Sequence, residues 1–285
     1  MPISPYDLYP ATAPRSCVIY SSPHSGRDYP AEFLASSVLD AQVIRSSEDA
    51  FVDLLFADAP RYGAPLLTAR APRAWLDLNR ARDELDPAVI EDVPRPSLNP
   101  RISAGLGVIP RVVSNGRAIY CGKISLAEAE ARIASHWLPY HAQLLALMAE
   151  ATALHGRAVL IDCHSMPHEA IDTFATAGRV KPQIVLGDRY GAAASSDIVD
   201  QIEAAFVAEG LQVARNAPFA GAYITQAYGR PSRGQHVVQI EIDRALYMDE
   251  ATVAPHCGFE AFRAAINRVM AAVGRDRDQV PLAAE

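Results

Sequence analysis

The stretch 157–163, RAVLIDC, constrains this chain more than any other, because it is apolar on both faces of an extended strand. A strand with two dry faces needs cover on both, and that cover is usually a layer of helices on each side of a largely parallel sheet. The surrounding segments have the matching order. SCVIYS reads as the first strand, and QIVLGD, LQVAR and HVVQIEID read as later ones. SSDIVDQIEAAFVAEG and a segment near 250–273 read as helices, giving an alternating α/β order.

Other elements are read the same way. SSEDAFVDLLFADAPRYG places Phe51, Leu54, Leu55 and Ala59 at helical spacing and ends near Pro60 and Gly63. APLLTA and AWLDL are predicted strands. Residues 125–155 carry the strongest helical signal, with Pro139 restarting or kinking the helix and Gly156 closing it. Residues 83–117 are proline-rich without a sustained period, and such a long irregular stretch in a compact domain is expected to cover a site. At 285 residues, half of them hydrophobic, one large domain over 16–273 is expected. Residues 1–15 would be an extended lead-in and 274–285 a frayed tail.

Charge and cysteine usage exclude several classes. There are 26 Lys and Arg against 33 Asp and Glu, a formal charge of −7, and no basic run longer than a pair, so a nucleic-acid partner is not expected. The N-terminal stretch has no basic start leading into an apolar core, and nothing approaches the ~18 apolar residues of a membrane span. Cys17, Cys121, Cys163 and Cys257 form no C-x-x-C pair, which argues against a zinc knuckle or a disulfide framework and for a reduced, cytoplasmic protein.

In open α/β sheets, ligands sit outside the carboxyl ends of the strands. His24, Asn79 with Arg80, His164 and Glu241 all fall near predicted strand ends. His24 and His164 are candidate metal ligands, since a catalytic zinc takes three protein ligands and keeps an open position. Asp49 is the best-placed third ligand, with Glu48 and Asp53 as alternatives. Ser46 followed three residues later by Asp49 equally fits a helix-capping box. Asp162 is placed to fix the tautomer of His164, whereas Pro167 disrupts any helical pairing of His164 with His168. Glu241 shares a strand face with Val237, Gln239 and Asp243. A glutamate there is costly to bury unless it is paired or poised for proton transfer, which makes it a candidate general base; the alternative is an edge strand in solvent. Arg73 and Arg80 flank Asn79, and a guanidinium can hold a carboxylate through two parallel hydrogen bonds. No G-x-S-x-G elbow is present, and GLGVIP lacks the third glycine of a dinucleotide loop.

SPHSG, EDAFVDLLF, RAWLDLNR, LIDCHSMP, NAPFAGAYI and VQIEIDRALYMDE, in this order, resemble the N-formylglutamate amidohydrolase family from about residue 16 to 272. The resemblance implies a three-layer α/β/α fold with a mixed, mostly parallel sheet, similar to zinc exopeptidases of the carboxypeptidase and aspartoacylase type. It implies one zinc, or another divalent ion, on His24, Asp49 and His164, with Glu241 as base. One departure stands out: Arg27 occupies the position where carboxypeptidases place the acid of H-x-x-E. The implied reaction releases formate and L-glutamate from N-formyl-L-glutamate, a step of histidine breakdown. Arg73 would stabilise the oxyanion, Asn79 and Arg80 would hold one substrate carboxylate, and Arg230, with Arg215 behind it, the other. A deacylase or exopeptidase for another N-acyl amino acid, and a non-catalytic dicarboxylate-binding protein, are the alternatives. The oligomeric state is left open.

Overall fold

The computed structural model describes residues 4–12, 15–94, 99–172 and 180–274. Its strands are β1 (Tyr6–Tyr9), β2 (Val18–Ser22), β3 (Leu66–Ala69), β4 (Ala158–Met166), β5 (Ile184–Gly187), β6 (Val213–Arg215) and β7 (Gln235–Asp243), followed by a small hairpin of β8 (Met248–Asp249) and β9 (Ala254–Pro255). The described helices are α1 (Ala31–Ser36), α2 (Val52–Leu55), α3 (Pro100–Ser103), α4 (Leu126–Arg132), α5 (Leu138–His155), α6 (Ser196–Ala208), α7 (Tyr223–Tyr228) and α8 (Phe259–Val273). The main sheet has the order β1-β3-β2-β4-β7-β5-β6. β1 runs antiparallel to β3 and β5 antiparallel to β7, while the remaining pairs are parallel, so the sheet is mixed.

β4 is buried at every position and lies between β2 and β7, as its two apolar faces require. Val159, Ile161 and Cys163 point into a core completed by α2, α6 and α8. Ala158 and Leu160 point into a second core completed by α4, α5 and α7. The fold is therefore three-layered, α/β/α. β4 and β7 pair over their full nine residues, from Ala158 opposite Gln235 to Met166 opposite Asp243. None of the four cysteines is in a disulfide. Among the described residues, no helix is long and apolar enough to cross a membrane.

Several expectations are corrected. Part of the lead-in forms β1, which extends the sheet beyond β3. AWLDL is not a strand: the Trp75 and Leu76 amides both bond the Pro72 carbonyl and close a turn. The helix expected after Ser46 is broken into a 3₁₀ turn at Val43–Ser47, the short α2, and a second 3₁₀ turn at Ala59–Tyr62. Phe51 ahead of α2 is left-handed at φ 65°, and the Ser46 hydroxyl caps nothing. The last helix begins at Phe259, because β8 and β9 occupy the residues before it. Residues 125–155 are helical as expected, from the Ser125 cap to Gly156 at φ 71°. A wide π-helical turn, Ile133–Trp137, interrupts them just before Pro139. Of the expected tail, 275–285 lie outside the described residues.

Candidate metal centre and active site

β2 ends at Ser22, and the next turn delivers His24. The Asp49 amide bonds the His24 carbonyl, which brings the acid to the same sheet end. β4 contributes His164 from inside the strand, two residues before its end. His24 Nδ1 and His164 Nδ1 are 3.1 Å apart, and Asp49 Oδ2 is 2.9 Å from the latter and 3.3 Å from the former. All three residues are buried.

This triangle fits a divalent ion. Metal–ligand bonds of ~2.0–2.1 Å in a tetrahedral site require ligand atoms about 3.3 Å apart, and three protein ligands leave a fourth position open. Each imidazole has its outer nitrogen engaged: His24 Nε2 donates to Asp77 at 2.7 Å and His164 Nε2 to Asp162 at 2.9 Å. Both Nδ1 atoms therefore face the centre, with the carboxylate partners typical of metal-bound histidines. Burial opposes ionisation of Asp49, but hydrogen bonds and charge from His164 and His24 prevail and hold its pKa well below the usual range. Burial likewise lowers the pKa of His164, yet Asp162 and Asp49 outweigh it and leave the pKa well raised. The two alternative carboxylates have other partners. Glu48 accepts from Arg45 and Tyr29, and Asp53 from Arg27. His168 lies apart, bonded to Asp243.

The centre opens into a cavity of about 360 Å³. Glu241 lines it from β7 and is 9% exposed, in a strand flanked on both sides, so the solvent-edge alternative does not hold. Gln239 donates to its Oε1 at 2.7 Å. Burial is the main cause that raises its pKa to about 7; the negative charge of Asp49 adds to this, and His164, Arg73 and Arg244 oppose it. Leu106, Pro110, Val112 and Ser114 also line the cavity, so the irregular stretch does cover the site.

Arg73 and Arg80 both reach the cavity. Arg73 donates through Nε to Asp77 at 3.1 Å. Arg80 uses Nε on the Leu106 carbonyl and Nη1 on that of Asn79. Burial lowers the Arg80 pKa, and the neighbouring charges of Arg73 and Arg101 lower it further. Asp77 is thus the shared partner of His24 and Arg73, and burial against ionisation is overcome there by His24, Arg73 and Arg80. Asn79 Nδ2 donates to Asp162 at 3.2 Å, while its Oδ1 accepts from the Ile224 amide at 2.8 Å. The Asn79 amide therefore holds the floor of the cavity together.

Two expected clamps are elsewhere. Arg230 is exposed beside Gln235 at the start of β7, six residues or ~20 Å of strand from Glu241, and bonds the Gln226 and Gly229 carbonyls. Arg215, on the edge strand β6, is held by Asp200 and Glu203. Another arginine, which sequence reasoning missed, does line the cavity. Arg244, 5% exposed, follows β7 in a 3₁₀ turn and lines the cavity. It donates to Asp49 Oδ1 at 3.1 Å and to Ser165 Oγ at 3.2 Å. Its signal was the position three residues past Glu241 in EIDRA.

Gly26 explains how the His24 loop meets the 71–80 loop. A Cβ there would lie 2.2 Å from the Ala71 carbonyl oxygen, so only glycine allows the approach.

The comparisons agree with this geometry. The family model described as N-formylglutamate amidohydrolase matches residues 16–248. An N-formylglutamate deformylase of Pseudomonas aeruginosa is 32% identical over 91% of this chain and 94% of its own. One from Pseudomonas putida is 26% identical over 82% of each. The crystal structure of N-formylglutamate amidohydrolase from Ralstonia eutropha superposes with a TM-score of 0.87 at 32% identity, over 95% of this chain and 98% of that one. With a buried His–Asp–His triangle able to hold a divalent metal at the end of its central strands, the chain belongs to the N-formylglutamate amidohydrolase family.

Proposed function

We propose that the protein is a zinc-dependent hydrolase of N-formyl-L-glutamate, with His24, Asp49 and His164 as the metal ligands. The observation that carries this reading is the placement of Glu241, whose pKa is raised to about 7, beside the ligand triangle and facing a cavity walled by arginines. A divalent ion held by His24, Asp49 and His164 would supply Lewis acidity to the reaction. Glu241 is placed to accept a proton as water adds to the formyl carbon, and to give one to the amine nitrogen as the C–N bond breaks. Arg73 faces the developing oxyanion, for which one such donor is commonly worth ~3 kcal/mol. Arg73 and Arg80 share one acid, Asp77, so this wall carries surplus positive charge, as a dianionic substrate requires. Arg244 orients Asp49; its Nε and Nη1 are engaged by Ser165, the Ser46 carbonyl and Glu250, which leaves one Nη2 N–H for the second carboxylate. The site belongs to a cytoplasmic, reduced protein.

The test is formate release from N-formyl-L-glutamate by purified protein, after chelation and again after zinc return, with N-acetyl-L-glutamate alongside. Zinc-restored release from the formyl compound supports the reading. Zinc-loaded protein that acts on the acetyl compound alone points to a deacylase. Protein that binds L-glutamate without turning over either compound points to a binding protein.

A further inference from the structure

The loop 71–80 carries Arg73, Asp77, Asn79 and Arg80, yet it belongs to no strand or helix. Its carbonyls must find partners elsewhere, because a buried carbonyl without one is costly. Three are met by side chains from one helical rod. Arg132 Nη1 donates to the Trp75 carbonyl at 3.1 Å, Trp137 Nε1 to that of Arg80 at 2.9 Å, and His141 Nε2 to that of Leu78 at 2.9 Å.

The rod reaches the loop this way because of its π-helical turn. On an uninterrupted α-helix, residues five apart point about 140° away from each other, so Arg132 and Trp137 would lie on different faces. The Leu138 amide instead bonds the Ile133 carbonyl five residues back, and the wide turn takes up one residue. Arg132, Trp137 and His141 then follow one stripe, as if spaced by four and four. Each donor is fixed in turn. The Arg132 guanidinium lies 5.1 Å from the Trp75 ring centre and bonds the Tyr120 hydroxyl at 2.8 Å. His141 Nδ1 accepts from the Tyr228 hydroxyl at 2.6 Å, which leaves Nε2 as the donor. The Trp137 and His141 rings are 3.9 Å apart.

We propose that Arg132, Trp137 and His141, aligned by the π-helical turn, are positioning residues that hold the 71–80 loop so that Arg73 and Arg80 select a dicarboxylate substrate. None of the three lines the cavity. They act through the loop backbone, and for its substrate the proposal rests on the functional reading above.

The test uses zinc-loaded full-length protein carrying Trp137→Phe, which keeps a ring and loses the N–H, His141→Leu, which loses the donor, or His141→Gln, which restores one. Two quantities are read: backbone amide exchange over 75–81, and the ratio of kcat/KM for N-formyl-L-glutamate to that for its diamide. Trp137→Phe and His141→Leu are expected to speed exchange in this loop and to lower the ratio about tenfold, with bound zinc unchanged and His141→Gln close to wild type. Equal losses on both substrates, or an unchanged ratio, would mean a merely structural role and overturn the proposal. If the wild-type protein releases no formate, the functional reading has failed instead. Exchange then decides the positioning claim, and unchanged rates in Trp137→Phe and His141→Leu overturn it.

Discussion

His164 on β4 and Glu241 on β7 are register partners in adjacent parallel strands, so their side chains leave the sheet on the same face. A candidate metal ligand and a carboxylate with a pKa raised to about 7 are thereby set side by side by backbone hydrogen bonding alone. Strand-borne groups of this kind are held more closely than loop-borne ones.

Glu241→Gln keeps the shape of the side chain and removes its basicity. The expected result is a fall in kcat of about a hundred- to ten-thousand-fold with zinc content unchanged. Steady-state kinetics with metal analysis check it, and near-wild-type turnover would remove Glu241 from the mechanism.

The same residue sets a pH dependence. Its pKa is raised from 4.5, chiefly by burial, so the base form grows in as pH rises toward about 7. kcat/KM is expected to climb with pH to a limb at or below about 7, since a cation beside Glu241 moves its ionisation lower. This limb should be absent from the residual rate of Glu241→Gln.

Metal uptake should weaken on acidification. His164 is held with a raised pKa by Asp162 and Asp49 against the effect of burial, so a proton competes with the ion for Nδ1. Zinc affinity, followed by competition with a chromophoric chelator, is expected to fall with each unit below neutrality.

Arg244→Met leaves Asp49 Oδ1 without its charged donor, and an expected loss of about 10–100-fold in metal affinity follows. Arg230→Ala and Arg215→Ala are expected to leave KM and metal affinity within about twofold, because both residues lie away from the cavity. A large KM rise in Arg230→Ala would reopen its role.

His141 gives a stability signature. Burial lowers its pKa from 6.5 to about 4, so the neutral ring is the folded form. Its contribution is complete above 6.5 and is lost as pH falls through about 4, amounting to about 3 kcal/mol at most. The drop in unfolding free energy from pH 7 to 4, measured with urea, should be larger for wild type than for His141→Gln by up to this amount.

The layers were legible because the two-sided apolarity of β4 admits few other surroundings. His24, His164 and Glu241 were legible as polar side chains where a buried sheet reaches its carboxyl end. Which carboxylate joins the histidines was not decided by sequence, because it depends on Arg45, Tyr29 and Arg27 engaging Glu48 and Asp53. AWLDL misled because Leu76 and Leu78 are both buried, as in a strand, while the backbone between them makes turns. Arg230 and Arg215 were chosen for charge, and charge carries no information about which end of the sheet a loop occupies. Arg244 was missed because its approach to Asp49 depends on the 3₁₀ turn after β7.

The unbroken nine-residue ladder between β4 and β7 also limits how this chain can change in length. Adding or deleting one residue in either strand would exchange its two faces, placing Cys163 or Ile240 at the cavity and turning His164 or Glu241 into the apolar layer. Insertions and deletions are therefore prohibitive in these two strands, where a frame of a single residue separates a reactive surface from an inert one.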